Sequence, residues 1–242
     1  MIKNLSRNLN ILVILPARLG STRLPRKPLL MLAGKPLIAH TYGRVSKSFS
    51  DVLVATDSTE IGLACKSLDI PYVITSPKHE NGTLRTLEAY QLLGKQYDYI
   101  INVQGDEAFI TDDVLAPLTR LLEQEQPMAA TLKAPIPNYD SNSNVFVTTN
   151  LNNQALYFSR NPIPNSREGQ AKRFQHVGVY AFTPEALKTY CALTPTPLEQ
   201  TEMLEQLRWM EHGYTWSVAT APSKPLSIDT PEDFERAKSF IK

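Results

Sequence analysis

Acidic side chains are absent from the first fifty positions, which hold nine cations: Lys3, Arg7, Arg18, Arg23, Arg26, Lys27, Lys35, Arg44 and Lys47. The remainder carries 24 acids against 16 cations, so a formal net charge of +1 hides a cationic first fifth and an acidic rest. The near-zero mean excludes a surface built to coat nucleic acid or another polyanion. Long apolar runs are also missing. The longest aliphatic one, Ile11–Leu15, falls far short of the roughly 20 residues of a membrane helix. Cysteine is scarce: Cys65 and Cys191 are far apart, with no CxxC and no Cys/His clustering, which excludes a disulfide framework or a zinc site and fits the cytoplasm. The Arg-rich start has the composition of a transit peptide, but a strand-like run and a proline-punctuated loop follow it, so it reads as mature protein. With 42% apolar residues over 242 positions, the expectation is a soluble globular chain of one large domain or two small ones.

Runs rich in Val and Ile alternate with segments of helical period, the signature of an α/β protein with a mostly parallel sheet. Strands are predicted at Asn10–Pro16, Asp51–Thr56, Pro71–Ile74 and Tyr97–Val103. Helices are predicted at Lys35–Val45, at Ser58–Leu68 with Ser58 as cap, at Thr83–Gly94 closed by glycine, and from Thr111. The pattern then changes to strand-like pieces at Met128–Pro135, Asn144–Thr149, Ala155–Ser159 and Phe174–Phe182, separated by Pro- and Asn-rich turns. They read as an antiparallel lobe at about 128–215 within a single domain of 1–242. A helix at Leu198–Glu211, a strand at Tyr214–Val218 and a last helix opened by Thr230-Pro231 complete the order.

Four cations crowd the loop after the first strand, Pro16-Ala17-Arg18-Leu19-Gly20-Ser21-Thr22-Arg23-Leu24-Pro25-Arg26-Lys27-Pro28, with no compensating acid. Ligands of open α/β sheets bind beyond the carboxyl ends of the strands, and this loop suits a polyphosphate better than bulk solvent. It is not a P-loop: Gly34-Lys35 has Leu29 where the earlier glycine belongs, Gly94-Lys95 has Ala89 there, and no GxGxxG occurs. Asp106, in Gln104-Gly105-Asp106-Glu107, and Asp229, before the last helix, are carboxylates at strand ends that could hold Mg²⁺ against substrate phosphates. A helix cap is the plainer role for Asp229 alone. On the strand Phe174–Tyr180, a period of two puts His176, Gly178 and Tyr180 on one face, a ligand contact or ordinary hydrogen-bonded structure. Arg160 suits a carboxylate or an interface ion pair. In the helix 198–211, Met203, Leu204 and Leu207 form the apolar stripe, and spacing alone leaves Glu205 and Gln206 open between site and solvated face.

Taken together, Pro16-Ala17-Arg18, Ser21-Thr22-Arg23-Leu24-Pro25 and Lys27-Pro28-Leu29, then Ala55-Thr56-Asp57, Asn81-Gly82-Thr83 and Arg85, and Asn102-Val103-Gln104-Gly105-Asp106-Glu107 resemble the 3-deoxy-manno-octulosonate (Kdo) cytidylyltransferase family, the CMP-Kdo synthetases. So do Ala155-Leu156-Tyr157-Phe158-Ser159-Arg160, Glu202-Met203-Leu204-Glu205-Gln206-Leu207-Arg208 and Asp229-Thr230-Pro231-Glu232-Asp233, in the family's order over nearly the whole chain. The first and the Gln-Gly-Asp motifs are shared with wider sugar nucleotidyltransferases, whereas Tyr-Phe-Ser-Arg and Glu-Met-Leu-Glu-Gln belong more narrowly to the Kdo branch.

The resemblance implies a nucleotidyltransferase fold of the glycosyltransferase-A-like kind, a mixed, mostly parallel sheet flanked by helices with a smaller antiparallel lobe for sugar binding and dimerisation. It implies a cytoplasmic homodimer acting on two small molecules, CTP and a Kdo-type sugar acid, with Mg²⁺, and no nucleic-acid or membrane partner. The product, CMP-Kdo, would serve lipopolysaccharide or capsule synthesis. Catalytic roles then fall on Arg18, Lys27, Asp106 and Asp229, with the two aspartates on the metal. Nucleotide contacts fall on Pro16, Ala17, Arg18, Ser21, Arg23, Lys27, Asn81, Gly82 and Gln104. Sugar contacts fall on Arg85, Arg160, His176, Tyr180, Glu205 and Gln206. Four positions depart from the family pattern: Arg26 stands where glycine is usual, Leu84 where a glutamate precedes the arginine, Ala108 for a proline, and Phe146 for a lysine. Because Leu84 adjoins Arg85, 8-amino-8-deoxy-Kdo or another ulosonic acid is the alternative substrate. A non-catalytic nucleotide-binding homologue is the minor alternative.

Overall fold

A computed structural model describes residues 9–20, 23–105, 107–136, 144–169 and 171–240. They divide into two compact units, one from the described residues of Asn10–Asp112 and Pro225–Lys242, the other from those of Asp113–Lys224 with Leu9. The class is the expected mixed α/β.

The first unit is organised by β1 (Ile11–Ala17), buried along its full length. So continuous an apolar run is what a strand covered on both faces requires. A 3₁₀ turn (Lys27–Leu29) and a small hairpin, β2 (Met31–Leu32) and β3 (Lys35–Pro36), lead into α1 (Leu37–Val45). Then come β4 (Asp51–Thr56), α2 (Thr59–Ser67), β5 (Tyr72–Ile74), α3 (Gly82–Leu93) and β6 (Tyr99–Val103). β1 pairs in parallel with β4 and with β6, and β4 with β5. The order β6-β1-β4-β5 therefore reverses direction at β1: the chain first winds outward through β4 and β5, then crosses back to lay β6 on the other side. Such a reversal opens a crevice at the carboxyl ends of the two strands that flank it. α1 and α3 pack on β1.

The second unit begins with α4 (Asp112–Glu125), whose first residue belongs to the preceding unit, and holds β7 (Ala129–Pro135), β8 (Phe146–Thr149), β9 (Ala155–Ser159) and β10 (Phe174–Phe182). β7–β10, β10–β8 and β8–β9 are antiparallel pairs, as expected. α5 (Pro184–Ala192), α6 (Pro197–Glu202), α7 (Gln206–Glu211) and β11 (Ser217–Thr220) follow, with β11 parallel to β7. Phe182, Tyr190, Trp209 and Trp216 form an aromatic core. The final helix, α8 (Pro231–Lys238), lies in the first unit.

Three expectations need correction. The single helix 198–211 is two, α6 and α7, broken where Met203 adopts a left-handed conformation at φ 53°. Met203 consequently leaves the apolar stripe and is 75% exposed, while Leu204 and Leu207 stay buried. Lys35 opens no helix. Ala33 and Gly34, at φ 46° and 79°, form a two-residue hairpin loop of the kind whose backbone twist matches antiparallel strands, and α1 starts only after Pro36. The last strand is Ser217–Thr220, three residues later at its start than the predicted Tyr214–Val218.

Candidate functional site

The crevice at the reversal contains a cavity of about 300 Å³. Pro16 and Ala17 at the end of β1 and Gln104 and Gly105 after β6 form its strand-end walls, and Arg18, Gly20, Arg23 and Lys27 come from the loop between. Pro28 and Asp229 complete it. A volume of this size is at the small end of ligand pockets, and its lining is unusually cationic.

Two devices hold the cationic wall. Leu24 belongs to a buried cluster with Leu32, Leu37, Ala108, Ile228 and Ala237, which anchors the loop's middle in apolar packing. Arg26 takes a left-handed conformation at φ 59°, its N–H donates to the Leu19 carbonyl, and its guanidinium pairs with Glu60 of α2. Arg23 and Lys27 turn inward on Asp229, with Arg23 Nη2 at 3.3 Å and Lys27 Nζ at 3.0 Å from the same Oδ1. Asp229 is set by α8: Asp233 accepts from the backbone N–H groups of both Asp229 and Thr230, and Thr230 accepts in turn from that of Asp233. This capping box orients the carboxylate just ahead of the helix without using it as the cap. The plainer role is therefore taken by Thr230.

Gly105 allows the approach of the two strand ends. A Cβ there would sit 2.9 Å from the Pro16 carbonyl oxygen. Gly82, at the start of α3, is similarly confined, its absent Cβ lying 3.1 Å from Pro16 Cγ and 3.7 Å from Gln104 Nε2. Asn81 caps that helix by accepting from the Leu84 N–H. Asn81 and Gly82 thus stand behind the cavity wall, with Gly82 against Pro16 and Gln104. Ser21 and Asp106 lie outside the described residues. Gly20, Pro28 and Gly105 line the cavity without having been assigned as contacts, although the cationic loop contains the first two and the Gln-Gly-Asp motif the third.

Arg85 is 3% exposed, and its guanidinium donates to Thr75 Oγ1 at 2.6 Å and to Asp57 Oδ2 at 2.8 Å. It ties α3 to the ends of β4 and β5. Leu84 beside it is half-buried.

The other sugar-contact candidates belong to the second unit. His176, Tyr180 and Gln206 come together: the His176 and Tyr180 ring centres are 5.3 Å apart, and the Tyr180 hydroxyl donates to Gln206 Oε1 at 3.3 Å. Burial pushes the Tyr180 phenol well up, with Glu205 adding to the shift and Arg160 opposing it. Burial, assisted by the positive charge of Lys224, lowers His176 to about 3, so its imidazole is neutral at ordinary pH. Arg160 braces the break between α6 and α7, donating from Nε to the Glu202 carbonyl at 2.9 Å and from Nη2 to that of Met203 at 3.2 Å. Glu205 accepts the Tyr190 hydroxyl on its backbone carbonyl. Thr131 of β7, which contacts His176, had no signal in the sequence because its partner is 45 positions away.

A family model described as cytidylyltransferase matches residues 12–228. The chain is 41% identical over 244 residues to the 3-deoxy-manno-octulosonate cytidylyltransferase of Phocaeicola vulgatus, covering 95% of this chain and 96% of that one. It is 42% identical over 243 residues to the protein of the same name from Polynucleobacter necessarius, with 96% of each covered. Among solved structures, a CMP:2-keto-3-deoxy-manno-octonic acid synthetase complexed with CTP superposes with a TM-score of 0.89 at 35% identity, over 96% of this chain and 98% of that one. A cytidylyltransferase from Leptospira borgpetersenii, 18% identical with a TM-score of 0.63 over 96% and 86% of the two chains, shares the fold.

Proposed function

Because the chain belongs to the 3-deoxy-manno-octulosonate cytidylyltransferase family, we propose that it activates Kdo with CTP, yielding CMP-Kdo and pyrophosphate. The observation that carries this reading is the cavity at the strand reversal, with Arg18, Arg23 and Lys27 on one side and Asp229 among them. In the reaction, the anomeric hydroxyl of the sugar acid attacks the α-phosphorus of CTP, the bond from that phosphorus to the bridging oxygen breaks, and pyrophosphate leaves with the electron pair. Phosphoryl-type transfer asks the protein chiefly for positioning and charge neutralisation. Arg18, Arg23 and Lys27 neutralise the triphosphate, and Lys27, held 3.0 Å from Asp229, stands where it can serve carboxylate and phosphate together. Pro16, Ala17, Asn81, Gly82 and Gln104 receive the nucleoside, with Ser21 beside the phosphate contacts; the bare face of Gly82 against Pro16 and Gln104 supports a close-fitting wall there.

The residues fit a magnesium ion. Asp229 lends the cavity a carboxylate, the hard oxygen donor that magnesium takes from a protein beside a substrate's own phosphates. Asp229 and Asp106, next in sequence to the cavity residue Gly105, would hold it, and bound there it would supply Lewis-acid stabilisation of charge on the phosphate oxygens.

His176, Tyr180 and Gln206, with Glu205 and Arg160, are the sugar contacts of the second unit, and Arg85 is the one assigned to the first. The mutual packing of the first three supports this. Exposed apolar side chains on the second unit, Leu156, Leu198 and Met203, support a homodimer. The enzyme would act in the cytoplasm, its product serving lipopolysaccharide or capsule assembly; no helix among the described residues is long and apolar enough to cross a membrane.

The test is pyrophosphate release with CTP and Mg²⁺ in the presence of Kdo, 8-amino-8-deoxy-Kdo or a sialic acid. Release with Kdo is expected. Release with only the 8-amino sugar moves the substrate, in keeping with Leu84 beside Arg85, and no release with any of the three overturns the enzymatic reading.

A further inference from the structure

A chain of hydrogen bonds that ends on His176 begins in the main chain of β10. The pairing of β10 with β7 shifts register between Val177 and Tyr180, which inserts Gly178 and Val179 and directs the Val179 carbonyl at the Thr131 side chain. Thr131 Oγ1 lies 2.7 Å from that carbonyl oxygen and 2.8 Å from His176 Nε2. Thr131 is fully buried, so no solvent competes for its hydroxyl. A hydroxyl has one proton and two acceptor lone pairs, and a carbonyl oxygen has no proton to offer. The Thr131 proton therefore points at Val179. Its contact with Nε2 is attractive only if that ring nitrogen carries the hydrogen, because two lone pairs facing each other at 2.8 Å would repel.

We propose that Thr131 is a positioning residue that holds His176 in the Nε2–H tautomer, so that Nδ1 presents a bare lone pair to a hydroxyl group of the sugar acid. This rests on the reading of His176 as part of the sugar face. The hydrogen bond made by one ring nitrogen decides what the other can do. Nδ1 makes no hydrogen bond with any described residue, and burial keeps the ring neutral, so no imidazolium competes with the tautomer. A bare lone pair accepts from an alcohol and repels a carboxylate, which assigns His176 to a sugar hydroxyl and leaves the carboxylate to cationic partners. The neighbours agree in polarity. With the Tyr180 proton spent on Gln206 Oε1, the phenol oxygen is a second acceptor, and the Gln206 amide N–H groups are donors. The face is matched to a polyhydroxylated ligand.

Nitrogen-15 NMR of histidine-labelled protein reads the tautomer directly, with His176→Gln identifying the signals among those of the four histidines. The expected result is a protonated Nε2 and a bare Nδ1 at neutral pH, kept in Thr131→Ser and lost or mixed in Thr131→Val. A proton on Nδ1 in the unaltered protein, alone or with Nε2, overturns the proposal, and this measurement needs no variant of Thr131 to fold. In steady-state kinetics, Thr131→Val should raise KM for the sugar acid about fivefold, the equivalent of one hydrogen bond to a neutral group. KM for CTP should be unchanged, and Thr131→Ser should restore the sugar value. An unchanged sugar KM in Thr131→Val, despite a shifted tautomer, overturns the positioning role. If His176→Gln itself leaves the sugar KM unchanged, the sugar face is elsewhere, and the role falls with that reading whatever the tautomer.

Discussion

Replacing Gly105 by alanine tests whether the cavity depends on the close approach of the ends of β1 and β6. The added Cβ would lie 2.9 Å from the Pro16 carbonyl oxygen, 3.4 Å from Ile38 Cδ1 and 3.7 Å from Ala17 Cβ. The first of these neighbours is backbone and cannot rotate away. Restoring an ordinary contact of at least 3.4 Å requires the two segments to part by about half an ångström. The Gly105 carbonyl also accepts the hydroxyl of fully buried Thr41 at 3.0 Å, and that bond stretches with the same movement. Overpacking of this kind costs about 1–3 kcal/mol, and weakening one buried hydrogen bond adds up to about 1 kcal/mol. Urea denaturation should therefore show a lower midpoint with an unchanged slope, a loss of about 2–3 kcal/mol. Because Pro16, Ala17 and Gln104 move with the wall, KM for CTP should also rise. Gly20→Ala is the control: it lines the same cavity, but its Cβ would meet nothing within 4 Å, so its stability should stay within about 0.5 kcal/mol of the parent. A Gly105→Ala protein with the parent's midpoint and CTP kinetics would refute the steric argument.

Lys27→Met removes an ammonium shared by Asp229 and the expected triphosphate; kcat/KM for CTP should fall by about a hundredfold or more, while circular dichroism shows the fold retained. Arg208 and Glu199 form a two-pronged pair at 2.7 and 2.6 Å, with side chains 7% and 10% exposed. Arg208→Met strands the buried carboxylate and should cost about 3–5 kcal/mol in urea denaturation, much of it recovered when Glu199 is changed to Gln as well. For His176 the folded pKa of about 3 lies below the ordinary value of 6.5, so the unfolded chain binds the extra proton. Its contribution is complete above pH 6.5 and is lost as pH falls toward 3, by about 1.4 kcal/mol per pH unit. Stability measured across that window should lose this slope in His176→Gln, and an identical slope in both proteins would contradict the burial of a neutral ring.

Elements with strong local signals were legible. Ser58 accepts from the Ile61 N–H at the start of α2, Thr230 opens α8 with Pro231 behind it, and Gly94 closes α3 in the left-handed conformation that glycine reaches without a Cβ clash. Asp51–Thr56, Ala155–Ser159 and Phe174–Phe182 are strands over the very residues read from alternation and β-branched content. Where local and tertiary preferences disagreed, the sequence was opaque. Nothing in Met203 announces a left-handed residue, but Arg160, 43 positions away, binds the carbonyls that the break exposes. Ala33 is an atypical residue for its hairpin turn, so the β2–β3 pair could not be seen and Lys35 looked like the entry to a helix.

The sequence by itself determined the chemistry available to the site: a loop with four cations and no acid, the carboxylates Asp106 and Asp229, and motifs spaced as in a cytidylyltransferase. Those are properties of neighbouring residues, and nearness in the chain carries them. The tertiary structure decided where that chemistry points. The order β6-β1-β4-β5 is a long-range choice, and it alone opens the crevice in which Lys27 and Asp229, 202 positions apart, meet across one carboxylate oxygen. Likewise the motif singles out Arg85, and only the fold ties its guanidinium to Thr75 and Asp57. The direction of each hydrogen bond is decided at the same level, since a proton on His176 is placed by a threonine from another strand and a carbonyl from a bulge, partners that no local pattern can encode.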